Sequence, residues 1–222
     1  MAIDVPPVLP LFPLPDHVLL IGLPMPYRVV EPRYRALVDD LIGMPPSSRW
    51  ISIPRLEDGW QGRYDGAPPF HALAAIGLVR TIRPEENGQF HIRVEGLQRC
   101  QLEEVPSTRL YRLARPLPLP DLPHDLSQAE LTHGVGEVLG LVDELRARLG
   151  KRGEVIKALV DNQDDLPAMI DRLGAAVIAD ADVRQEFLES RRLPARLVLL
   201  KRVLISLLAP RTRPTGWDPS AN

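Results

Sequence analysis

Hydrophobic and polar positions change their period near residue 115. From Val8 to about Arg115 the apolar residues come in short runs broken by Pro and Gly: VLPLFPL, HVLLIGLPM, YRVV, RWISIP, ALAAIGLVRTI, QFHIRVEG and RCQLEEV. That texture predicts β-strands. Glu85-Glu86-Asn87-Gly88 separates two of the runs, and Asn-Gly suits the positive φ angles of a tight hairpin turn. Beyond it Phe90, Ile92 and Val94 alternate with His91, Arg93 and Glu95, so one face is expected to be buried and the other wet. Gly96 marks an expected bulge before the apolar phase resumes at Cys100 and Leu102. One helix interrupts this half. In EPRYRALVDDLI, Tyr34, Leu37, Val38 and Leu41 recur at helical spacing after the Glu31-Pro32 start. Prolines at 6, 7, 10, 13, 15, 24 and 26 favour edge strands, bends and loops, which suits a bent, irregular barrel better than a flat sheet.

The second half reads as helices. Ser127-Gln128-Ala129-Glu130 has the form of a capping box. Leu131, Val135, Val138, Val142, Leu145 and Leu149 follow as one apolar stripe that Gly150 can end. Three segments supply facing surfaces: Val155, Ile156, Leu159 and Val160; Leu166, Met169, Ile170, Leu173 and Val177; Val183, Phe187 and Leu188. A last helix from near Pro194 carries Leu197, Leu200, Leu204 and Leu207 or Leu208 opposite Lys201 and Arg202. The expected fold is therefore α+β: a bent β-barrel with one packed helix over 1–115, a proline-rich connector over 116–125, an all-α helical bundle over 126–210 and a loose tail over 211–222.

Composition narrows the functions open to such a chain. Its 222 residues and 45% apolar content are enough for an ordinary core. The net charge is only -2, from 27 basic and 29 acidic residues, and gives no long-range pull towards phosphate backbones or anionic membranes. Cys100 is the sole cysteine, which excludes an internal disulfide and a thiolate-rich zinc site and suits a reducing compartment. The start lacks the pattern of a secretory signal, and Lys201 and Arg202 interrupt the longest late apolar run, so the expected location is the cytoplasm and no membrane partner is expected.

No motif of catalysis emerges. Gly150-Lys151 is followed by Arg152 and preceded, where a phosphate loop needs its first Gly, by Leu145, so it reads as a helix end. Lys151, Lys157 and Lys201 fall on polar helix faces or ends, a poor setting for a Ser-Lys nucleophile pair. His17, His71, His91, His124 and His133 have no metal-ligand spacing, and Cys100 is in phase with Leu102 as a core residue. Asp39-Asp40, Glu103-Glu104 and Asp164-Asp165 look like solvated ends of elements, the last pair suited to capping a helix. Arg28, Arg33, Arg35, Arg93 and Arg99 interleave with Tyr27, Tyr34 and Phe90 in the manner of an RNA-binding surface, but Glu31 and Glu95 among them favour internal ion pairs. Nucleic acid is not expected as a partner. No metal or cofactor is expected either.

Residues 9 to 42, LPLFPLPDHVLLIGLPMPYRVVEPRYRALVDDLI, resemble the opening of the Lon protease amino-terminal, substrate-binding domain family. Its leucine-proline-leucine-phenylalanine-proline element matches Pro10, Phe12 and Pro13 with their neighbours, and its glutamate-proline-arginine-tyrosine element matches Glu31 to Tyr34. A second signature is similar to Ala75-Ile76-Gly77-Leu78-Val79 followed, past the hairpin, by Val94-Glu95-Gly96-Leu97-Gln98-Arg99-Cys100. The signature residues Pro10, Phe12, Pro13, Glu31, Pro32, Gly77, Glu95, Gly96 and Arg99 are assigned structural roles. The resemblance implies a PUA-like bent β-barrel followed by a helical bundle, without the ATPase and Ser-Lys peptidase that continue the family's proteases. It also implies a non-catalytic protein that binds unfolded or partly folded polypeptides, as a client receptor or a regulator working with a separate protease. Met25, Tyr27, Arg33, Tyr34 and Arg35 are the candidate contacts, on a surface at the barrel edge or barrel–bundle junction. Rival readings are an adaptor that docks folded partners, an RNA-binding PUA-like module, and an enzyme with an unrecognised site. Client identity and oligomeric state are not encoded in these motifs.

Overall fold

The computed structural model describes residues 5–64, 66–161 and 165–209. The tail expected at 211–222 lies outside them. Six strands, β1 (Leu9–Pro10), β2 (Pro24–Val29), β3 (Trp50–Ser52), β4 (Leu73–Pro84), β5 (Phe90–Val105) and β6 (Leu113–Pro118), form one antiparallel sheet. Its order is β1-β6-β5-β4-β3, with β2 also paired to β5. Helix α1 (Pro32–Ile42) lies between β2 and β3 and buries the expected Tyr34, Leu37, Val38 and Leu41.

The α+β class holds, while the barrel description fits only loosely because the hydrogen-bonded ladder does not close. Isolated parallel bridges, Leu11 to Ser52 and Leu14 to Arg55, join the segment after β1 to the β3 side. Prolines explain the incomplete seam, since Pro13 and Pro15 have no N–H to donate. Pro24 and Pro26 lie in β2, which pairs on one side only, with β5.

Strand β5 spans both QFHIRVEG and RCQLEEV, two runs that the sequence pattern separates. Its first part pairs with β2 and its last part with β6, while β4 follows it from Phe90 to Gln101. The irregularity expected at Gly96 is present: Gly77 pairs with Gly96 but Ile76 with Gln98, leaving Leu97 as the extra residue. Glycine is required at both positions. A Cβ at Gly77 would stand 2.2 Å from the Glu95 carbonyl oxygen, and one at Gly96 would stand 2.3 Å from that of Leu20. The β4–β5 hairpin turns through Gly88 at φ 73, with the Glu85 amide donating to the Gln89 carbonyl at 2.8 Å. Asn87 keeps a negative φ, so this is not the two-residue turn that Asn-Gly commonly makes.

The run HVLLIGLPM is the main departure from the expected strands. Only its last residues enter β2; Val18, Leu19 and Leu20 are buried without joining a ladder, and Ile21 makes one bridge to Gly96. Apolar content alone does not separate a strand from a buried extended loop.

The second half forms α2 (Gln128–Leu149), α3 (Lys151–Ala158), α4 (Leu166–Val177), α5 (Ala181–Glu189) and α6 (Leu193–Leu208). The capping box at Ser127 and Glu130 is complete, Asp165 and Asp180 cap α4 and α5, and Gly150 ends α2 at φ 54. On α2 the stripe buries Leu131, Val138, Val142 and Leu145, whereas Leu149 is exposed. On α6 Leu208 is buried and Leu207 is not.

A small cluster of Leu9, Leu11, Ala74, Ile76, Cys100, Leu102 and Ala114 fills one face of the sheet. Burial there pushes the Cys100 thiol up to about 12, as suits a packing residue. The larger core runs without a break from Phe12, Val29 and Val94 to Ile170, Phe187 and Leu204, so the sheet and the helices share one interior. Among the described residues no helix is long and apolar enough to cross a membrane, and no three metal-ligating side chains converge.

Candidate functional site

A cleft of about 650 Å³ opens where the sheet meets the helices. Its walls come from the loop before β2 and from β2 itself (Leu23, Pro24, Met25), from α3 and the residue after it (Val155, Ile156, Leu159), and from the end of α4 (Ala175 to Ala179). Ala175, Val177, Ile178 and Arg184 are buried and form the floor; Asp16, Arg93, Val155, Ala176 and Ala179 are exposed and form the rim. An apolar recess with a few polar groups is the usual form of a binding site.

Arg184 is the charged residue of that floor. It sits on α5 in phase with the buried Phe187 and Leu188 and is only 6% exposed. Nε donates to the Val18 carbonyl at 2.8 Å, and Nη1 donates to the carbonyls of Ile178 at 2.8 Å and Ala175 at 3.4 Å. The guanidinium thus ties the loop before β2 to the end of α4, where free carbonyls need donors. Its Nη2 has no hydrogen-bond partner, and no carboxylate pairs with it among the described residues. Burial lowers the Arg184 pKa below its ordinary value.

His17 borders the same cleft, and its Nε2 lies 2.7 Å from the Tyr27 hydroxyl. Burial, followed by the nearby Arg184 charge, holds His17 down to about 4, so it is neutral at pH 7. Burial raises Tyr27 well above the usual phenol range. Asp16, just before, takes a left-handed φ of 46. At neutral pH the charged lining is therefore Arg184, Arg93 and Asp16.

The residues singled out in the sequence do not gather in one place. Met25 lines the cleft, and Tyr27 lies behind it with its hydroxyl on His17. Tyr34 is buried on α1, 4.5 Å between centroids from Phe12, with its hydroxyl 3.5 Å from the Pro13 carbonyl. Arg33 stacks between Tyr34 at 4.7 Å and Tyr64 at 5.0 Å and pairs with Glu31 at 2.8 Å, while Tyr64 also donates to Glu31. This fixes the turn into α1 at Pro32. Arg35 lies beside the β4–β5 hairpin, near Gly88. Pro10 borders a smaller cavity of about 270 Å³, which Tyr111 and Asp40 also line. Glu95 pairs with Arg80 at 2.6 Å, leaving Arg93 without an ion pair among the described residues.

Arg99 belongs to a second junction feature. At 4% exposure it donates through two nitrogens to Asp171 at 2.8 and 3.0 Å and through Nε to the Leu188 carbonyl at 2.8 Å. Arg196, fully buried on α6, holds Asp121 of the connector with both Nη atoms and lies 3.5 Å from Asp171. Arg99 also approaches Asp121 to 3.5 Å. Two guanidiniums and two carboxylates thus close the seam as a neutral quartet.

The motif-based reading of the sequence missed Asp16, His17, Arg184 and the quartet residues Asp121, Asp171 and Arg196. The signal available was an arginine inside an apolar helical phase: Arg184 beside Phe187 and Leu188, and Arg196 beside Leu193 and Leu197.

Solved structures share this architecture. The N-terminal domain of Mycobacterium avium complex Lon protease superposes with a TM-score of 0.66 at 19% identity, covering 89% of this chain and 98% of that one. A Lon N-terminal domain protein from Xanthomonas campestris does so at 0.51 and 20% identity, covering 90% and 96%. At such identities the likeness shows the fold. No curated protein sequence matches the chain. The sequence profile of the ATP-dependent protease La (LON) substrate-binding domain matches residues 8–206, and the chain accordingly belongs to that family.

Proposed function

We propose that this protein is a non-catalytic receptor for unfolded or partly folded polypeptides, which it holds in the cleft between sheet and helices. The observation that carries the proposal is that cleft: a recess of about 650 Å³ walled by Met25, Ile156, Leu159 and Val177, in a chain of a substrate-binding family. Its apolar walls and charged rim suit a short apolar stretch of extended chain. The units drawn at 1–115 and 126–210 then act as the two jaws, joined by the connector 116–125. In this reading the protein presents clients to, or withholds them from, a separate protease. Its location is the cytoplasm, where a single buried thiol is at home.

Fluorescence anisotropy with a labelled, permanently unfolded protein tests the reading. Micromolar binding is expected, weakened about tenfold or more by Met25→Asp or Ile156→Asp, because a carboxylate at either wall is desolvated by the bound apolar chain. If no unfolded protein binds at micromolar concentration, the receptor reading fails. Binding confined to folded proteins would replace it with the adaptor reading.

A further inference from the structure

We propose that the cleft is selective for the free carboxyl terminus of a polypeptide, whose carboxylate is held by Arg184 while the preceding apolar side chains lie against Met25, Ile156 and Val177. The inference rests on the receptor reading and adds the chemical class of what enters first.

Buried cations are ordinarily paired, since an uncompensated charge in a poorly solvated site is expensive. The same seam shows the ordinary arrangement, with each quartet arginine facing carboxylates at 2.8 to 3.5 Å. Arg184 departs from it in facing no carboxylate, since an unpartnered nitrogen occurs in the quartet as well, at Arg196 Nε. Three carbonyls take up Nε and Nη1, yet its Nη2 is unpartnered and no carboxylate pairs with it among the described residues. Its other role, closing the end of α4, accounts for those carbonyls and leaves both the net charge and Nη2 unanswered. A carboxylate supplies a counter-charge and an acceptor together.

Other charged groups on the cleft are compatible with that ligand. Arg93 on the rim has no ion pair among the described residues and adds attraction at the entrance. Asp16 opposes it but is exposed at the rim, where solvent weakens the repulsion. Depth favours a chain end over a side chain within a chain. Arg184 is on the floor, under a recess about the size of a small ligand, so a chain threading past it would need room for both flanks, whereas a terminus needs room for one.

The test compares labelled heptapeptides of one apolar sequence, binding to the full chain at pH 7. One ends in a free carboxylate and one in an amide; a third is amidated with a glutamate at its centre. The acid is expected to bind at least about tenfold tighter than either amide, the size of a charge-assisted hydrogen bond. That advantage should vanish in Arg184→Gln and shrink in Arg93→Gln. Should Arg184→Gln not fold, Arg93→Gln and the peptide series on the unaltered protein still decide. Equal binding of acid and amide overturns the proposal while leaving the receptor reading intact, and so does a glutamate peptide that matches the acid. If unfolded protein binds but none of the heptapeptides does, the carboxyl-terminal proposal alone falls; if neither binds, the receptor reading falls with it.

Discussion

Arg99 and Arg184 both cross the seam between sheet and helices, yet they are treated oppositely. Arg99 reaches from β5 to Asp171 on α4, where Arg196 and Asp121 complete a neutral quartet. Arg184 reaches from α5 to the Val18 carbonyl and meets only backbone. One site has its charges closed off and holds the two halves together. The other carries a net charge at the floor of a cleft. Burial alone thus does not tell a structural arginine from a binding one; the difference lies in whether a carboxylate balances the guanidinium's charge.

Breaking the closed site should have the largest effect. Asp171→Ala leaves two buried guanidiniums with Asp121 as their only carboxylate, and a loss of about 3–5 kcal/mol is expected in chemical denaturation. Replacing Arg99, Asp171 and Arg196 together with apolar residues of similar volume should cost much less, because no buried charge is then stranded. A single-site loss below about 1 kcal/mol would show that the quartet does not carry the seam.

Arg184→Met should come next, at about 2 kcal/mol. It removes no ion pair but leaves the buried carbonyls of Val18 and Ile178 without their donor. The comparison fails if this substitution costs more than Asp171→Ala in the same denaturation series.

Much of this architecture is legible in the sequence where a local rule acts alone. The capping box at Ser127 and Glu130, the Tyr34-Leu37-Val38-Leu41 face of α1 and the Gly96 irregularity each follow from spacing within a few residues. HVLLIGLPM was not legible as a loop, because its apolar residues answer to the core and not to a ladder partner. The quartet was even less so, since its members stand at 99, 121, 171 and 196 and only the folded topology brings them together. Met25 was the one candidate contact found on the cleft wall, because a proline-flanked apolar residue is conspicuous. Arg184 becomes meaningful only in the fold, which brings its Nε to the Val18 carbonyl across 166 residues of sequence and sets it beside His17.

Acid should expose the open site before the rest of the seam. His17 titrates near 6.5 in an unfolded chain and near 4 in the folded protein, where burial and Arg184 disfavour its charged form. Between these values the unfolded chain binds a proton that the folded one does not. Stability contributed by the neutral ring is therefore fully present above pH 6.5 and is lost as pH falls towards 4, at no more than about 1.4 kcal/mol per pH unit. To isolate this contribution, urea denaturation of the unaltered protein is compared with His17→Asn at pH 7 and pH 4.5. A smaller acid loss in the variant is expected; equal losses would mean that the ring is not held neutral.

The smallest effect should come from an exposed ion pair between α5 and α6. Arg202 on α6 meets Glu186 on α5 at 2.9 Å, with side chains 58% and 55% exposed. This is the same chemistry as the Arg99–Asp171 pair, at almost the same distance, joining neighbouring helices. Water solvates both partners before and after the contact forms, and fixing two long side chains offsets much of the attraction. Arg202→Ala should therefore change stability by less than about 1 kcal/mol, an effect that added salt largely removes, whereas salt should leave the cost of Asp171→Ala nearly untouched. If the two substitutions prove equal in cost and in salt dependence, solvent reaches the quartet as freely as it reaches the surface, and the contrast between the closed and open arginine sites loses its physical basis.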